Sequence, residues 1–129
     1  MGTAEELAFL LQDSGTDHVD ASDVLHVIDK ALAAKNKLMP KGMTEADAWM
    51  ARHGNPLAST EAALLIANMV PGLMDTKMRV SNSNDFAEVI LKYQGPESFI
   101  HGDGKAETLP VAICAAVMDA LDKKGKANV

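Results

Sequence analysis

The sequence predicts an all-α fold, a compact bundle of about six helices with at most a minor two-stranded ribbon. Three observations lead there. Apolar residues recur at three-and-four spacing in several segments, the signature of amphipathic helices. Capping residues, glycines and prolines fall at the borders of those segments. Alanine occurs 20 times while aromatic residues make up only 4%, a composition suited to helices that approach one another closely.

Taken in order, Thr3 and Glu6 form a capping-box pair that opens a helix with Leu7, Leu10 and Leu11 on one face, ended by Ser14-Gly15. Asp20 or Ser22 caps a second helix, in which Val24, Leu25, Ile28, Ala31 and Leu32 make a stripe up to about Lys35. Pro40 and Gly42 interrupt. Thr44 with Asp47 begins a third helix that Gly54 terminates, with Trp49 and Met50 facing inward. Asn55-Pro56 starts a fourth over 56–70, since asparagine caps and proline is tolerated in the first turn. Its stretch Ala62 to Ala67 is apolar without a break, Asn68 alone intervenes before Met69, and Pro71-Gly72 stops the helix.

Ser81 to Asn84 precede a fifth helix carrying Phe86, Val89, Ile90 and Tyr93, closed by Gly95-Pro96. From Gly95 to Glu107 the reading is a long loop, anchored by Phe99-Ile100, with His101-Gly102-Asp103-Gly104-Lys105 as an exposed polar turn. Thr108 caps the last helix, over 109–121, whose C-terminal dipole Lys123 and Lys124 complement. Strand signals are confined to Met78–Val80 and Ser98–Ile100. The helices over 56–70 and 109–121 are nearly all apolar, so they are expected at the centre, wrapped by four shorter helices or covered by a second subunit. A homodimer is the predicted assembly.

The chain has 129 residues, 47% of them hydrophobic and 23% charged, which fits a single globular domain over 1–129. One cysteine excludes an internal disulfide framework and a thiolate-rich metal site. The longest apolar run, Leu109 to Met118, is too short to span a membrane. Met1 to Leu11 has no basic residue ahead of an apolar stretch, so the expected compartment is the cytoplasm.

The net charge of -6 is unevenly placed. All seven charged residues within positions 1–29 are acids, whereas the remainder of the chain is close to neutral. This acidic N-terminal pole, represented by Asp13, Asp17, Asp20 and Asp23, suits a partner protein with a basic surface. The function expected on that ground is a small protein-binding module: an adaptor, inhibitor or regulatory subunit.

A second expectation is an enzyme, metal-dependent or binding a small molecule, whose Asp23, His26, His53, His101 and Asp103 converge in the fold. Asp23 and His26 are its metal candidates, one helical turn apart. His101 and Asp103 are candidates for a ligand or loop site, since a histidine beside an aspartate can move a proton. No cofactor is predicted. Neither a Walker pattern nor a dinucleotide-binding glycine motif occurs. A helix-turn-helix over 44–69 would have a recognition helix with no lysine or arginine, which argues against nucleic acid. A third expectation is a structural subunit of a larger assembly.

Overall fold

The computed structural model describes residues 4–14, 17, 19–32, 45–70, 72–81, 86–95 and 97–127. It corrects the all-α expectation. Five helices are present among the described residues, α1 (Ala4–Ser14), α2 (Ala21–Leu32), α3 (Glu45–His53), α4 (Thr60–Met69) and α5 (Leu109–Ala127). Between α4 and α5 lies a three-stranded antiparallel sheet, β1 (Leu73–Ser81), β2 (Phe86–Gln94) and β3 (Phe99–Ala106), in the order β1-β2-β3. The fold is α+β.

Two segments carry the correction. Residues 86–94, expected as a helix, form the central strand β2 because their burial alternates. Ala87, Val89, Leu91 and Tyr93 are buried, while Glu88, Ile90 and Lys92 are only half-buried. That period of two, rich in β-branched and aromatic residues, is a strand signature which Ile90 interrupts. The helical reading selected Phe86, Val89, Ile90 and Tyr93 and passed over Leu91.

The expected loop over 95–107 is largely β3. Ile100, Gly102 and Gly104 point inward, while Phe99, His101, Asp103 and Lys105 point out. The two glycines are not turn residues. A Cβ on Gly102 would collide with the carbonyl oxygen of Ala116 and crowd the Cβ of Ala120; one on Gly104 would collide with the carbonyl oxygen of Ala112. Helix α5 therefore rides directly on the backbone of β3 along Ala112, Ala116 and Ala120, one residue per turn. Glycine in a strand interior is the residue that permits such an approach.

The long apolar helix is thus covered by a sheet. Residues 110–118 of α5 are buried, with α1, α4, β2 and β3 packed around it. Helix α4 is shorter and more amphipathic than its sequence suggests. Asn55 forms a turn of its own, accepting the N–H of Leu57 on Oδ1 at 2.9 Å, and Ser59 Oγ caps the helix by accepting from Ala62 at 3.3 Å. Ala62, Ala63, Ile66 and Ala67 are buried, while Glu61, Leu65 and Asn68 are exposed. The burial problem that argued for a second subunit is met inside one chain.

Tyr93 joins the two layers. Its ring is fully buried and its hydroxyl donates to the carbonyl of Ala67 at the end of α4, at 2.8 Å. Burial raises its pKa well above the ordinary value of 10.0. On the other side of α5, the Cys114 thiol donates to the carbonyl of Pro56 at 3.4 Å, and burial pushes its pKa up to about 12. It is a small core residue rather than a thiolate nucleophile.

Candidate functional site

The sheet has two outer strands, and their free edges differ. In an antiparallel ladder a residue's N–H and C=O point to the same side, and successive residues alternate sides. On β3 the residues facing away from β2 are His101, Asp103 and Lys105, and each is met by a helix side chain. The Asp103 N–H donates to Asp119 Oδ2 at 2.9 Å, and the Lys105 N–H donates to Gln12 Oε1 at 3.3 Å. Lys123 Nζ donates to the carbonyl of His101 at 2.7 Å and lies 2.9 Å from Asp119 Oδ2. The edge of β3 is closed by α5 and α1.

Strand β1 is organised differently. Its register with β2 pairs Asp75 with Lys92, Lys77 with Ile90 and Arg79 with Glu88 on the sheet's outer face. Thr76, Met78 and Val80 share the helix-side face with Leu91, Val89 and Ala87. Their cross-strand partners are buried, yet Met78 is 46% and Val80 60% exposed. Met74, at the bulge between Leu73 and Asp75, is 54% exposed. The same alternation turns the backbone of Thr76, Met78 and Val80 away from β2. The N–H of Thr76 accordingly turns to its own neighbour, donating to Asp75 Oδ1 at 2.9 Å. A strand edge flanked by apolar side chains is a template for another strand.

The residues singled out by sequence are placed as follows. Asp13 on α1 and Asp17 beyond it are exposed. Asp20 and Asp23 come together at the start of α2. The carbonyl of Asp20 accepts the N–H of Asp23 at 3.0 Å, and Asp23 Oδ2 accepts the N–H of Asp20 at 3.0 Å. In this arrangement the Asp23 carboxylate caps the start of α2 by accepting the Asp20 N–H, while Asp20 contributes backbone groups alone, so Asp23 is the acid with a folding role. Asp23 is therefore turned toward its own helix start.

His26 is exposed on α2, and His53 is exposed at the end of α3, with its ring 4.8 Å from that of Trp49. Among the described residues no three His, Cys, Asp or Glu side chains gather in a way that could hold a metal ion. His101 and Asp103 are on the outer face of β3, linked through Lys123, which bonds the His101 carbonyl and approaches Asp103 Oδ2 at 3.7 Å. Their neighbourhood is the closed edge. Thr3 and His18 lie outside the described residues. No helix among the described residues is long and apolar enough to cross a membrane.

Sequence reasoning marked Met78–Val80 as a strand signal but missed Thr76, the length of β1 and its outer edge, and it missed the closing roles of Gln12, Asp119 and Lys123. For β1 a signal was present: from Asp75 to Val80, charged residues alternate with Thr, Met and Val. Comparison of the chain with family models, curated proteins and solved structures finds no match. The fold and the two unequal edges define the molecule on their own terms, as an α+β fold in which, among the described residues, nothing closes the edge of β1.

Proposed function

We propose that this chain is a protein-binding module of the adaptor or regulatory kind whose docking element is the free edge of β1. The observation that carries the reading is the inequality of the edges: three side chains close β3, whereas Met78 and Val80 stand exposed beside the outward backbone of β1. A polypeptide added to β1 gains main-chain hydrogen bonds along the edge and apolar contact with Met78 and Val80. The acidic pole is a separate surface that suits a basic partner, with Glu5, Glu6, Asp13 and Asp17 exposed outside the α2 cap.

Met78→Pro tests this. It removes an outward N–H while leaving the β1–β2 hydrogen bonds in place, since proline is tolerated on edge strands. With the chain as bait in extract of its native cell, wild type is expected to retain a polypeptide that Met78→Pro loses. Asp13→Lys with Asp17→Lys, which leaves the β1 edge unchanged, should still capture that polypeptide. Equal capture by wild type and Met78→Pro would remove the β1 edge from the reading.

A further inference from the structure

We infer that the occupant of the β1 edge is a second copy of the same strand, paired antiparallel about a two-fold axis through Thr76. The inference rests on the β1-edge reading and adds the identity of the partner. It follows from the order of side chains along the edge, Met74-Asp75-Thr76-Lys77-Met78. The segment is complementary to its own reverse.

A two-fold antiparallel pairing must match outward-facing residues with outward-facing residues, which leaves three central registers to compare. With Met78 on the axis, Lys77 faces Arg79 of the other copy twice, a doubly repulsive arrangement. With Lys77 on the axis, Asp75 faces Arg79 twice, but the two copies of Lys77 oppose each other. With Thr76 on the axis, Asp75 faces Lys77 twice, Met74 faces Met78 twice, threonine faces threonine, and no like charges meet. Opposite charges and Thr–Thr pairs favour directly opposed strands, while like charges disfavour them.

Two structural facts agree with that register. Asp75 and Lys77 share the outer face of the sheet, since their β2 partners Lys92 and Ile90 do, so the two pairs would form on one side of the joined sheets. Met74 and Met78, 54% and 46% exposed, would meet at both ends of the paired stretch. The Thr76 N–H, now satisfied by Asp75 Oδ1, would turn to the facing strand as that carboxylate turns to Lys77 of the second copy. The register shift at Met74 bends β1, which keeps the straight stretch open to pairing short. Such a dimer dissociates on dilution. The product is a continuous six-stranded sheet with its two outer edges, both β3, already closed.

Charge exchange tests the register with the full chain. Asp75→Lys places lysine opposite lysine in a homodimer, and Lys77→Asp places aspartate opposite aspartate. Each variant alone is expected to raise the dimer dissociation constant about tenfold or more in sedimentation. Mixed in equal amounts, the two variants should form a heterodimer of wild-type strength, which also reports that both are folded. Self-association of each variant at wild-type strength would overturn the register. Wild type that stays monomeric from micromolar to millimolar concentration would overturn the second-copy inference. In that case, a polypeptide still lost on Met78→Pro would keep the β1-edge reading and assign the edge to a different chain, while no such loss would remove both.

Discussion

The two outer strands of one small sheet show what a protein does with an edge it keeps to itself and one it leaves available. On β3, three backbone groups in a row are taken up by Gln12, Asp119 and Lys123, supplied by two helices. On β1, among the described residues, the N–H of Thr76 is met by its own neighbour's carboxylate, and the flanking Met78 and Val80 are exposed. The difference originates in the helix layer. Helix α5 lies along β3 closely enough for its polar residues to reach the strand's rim, while Met78 and Val80 on the helix side of β1 remain exposed. Edge protection is therefore a by-product of backbone-to-backbone packing, and it stops where that packing stops.

The sharpest way to break the contrast is to lift α5 away from β3. Gly104→Val forces a side chain into the carbonyl oxygen of Ala112, and the expected loss is on the order of 3 kcal/mol in urea unfolding. Gly102→Ala should act in the same direction through Ala116 and Ala120. Tyr93→Phe strikes the centre of the sheet, equidistant in argument from either edge. Leaving the Ala67 carbonyl without its buried partner should cost about 1–3 kcal/mol, without altering self-association through β1.

Asp119→Ala opens the closed edge selectively. It withdraws the acceptor from the Asp103 N–H and the ion-pair partner from Lys123, at a stability cost of about 1 kcal/mol. Its clearer signature is faster amide exchange at Asp103, together with association through β3 that the wild type lacks. Cys114, packed against Pro56 away from both edges, supplies the control. Its thiol ionises near 9.0 when unfolded and near 12 when folded, so above pH 9 only the unfolded chain loses that proton. Stability is then fully kept below pH 9 and falls as pH rises toward 12, by about 1 kcal/mol at pH 10. Cys114→Ala should flatten that decline in pH-dependent urea titrations and leave both edges as they are.

Much of the helical part was legible in sequence because it depends on local chemistry. Helix α2 begins right after Asp20, and Gly54 follows α3 with its φ of 101°. Val24, Leu25 and Ile28 are buried as the stripe of α2 requires. The sheet was harder to read for a physical reason. Gly102 and Gly104 are glycines because of Ala112, Ala116 and Ala120, and no local window contains that information. Read locally, Gly-Asp-Gly is turn chemistry; read against α5, it is a flat strand surface. Likewise Ile90, apolar on the outer face between Lys77 and Asp103, hid the alternation of β2. The candidate edge was least visible, since an unpaired backbone is a property of what fails to lie beside it.

The three bonds that close β3 also differ in how far the chain must travel to make them. Asp103 and Asp119 are 16 residues apart and His101 and Lys123 are 22 apart, whereas Lys105 and Gln12 are separated by 93. Loop-closure entropy and contact order make the first two early events and the last a late one. The β2–β3 hairpin and α5 can assemble as a contiguous unit, and α1 can close the rim only once the N-terminal segment has returned. While that return is pending, Lys105 presents an open amide of its own, and a nascent chain has two adhesive borders instead of one. A strand edge exposed in such an interval is a template for association with another chain.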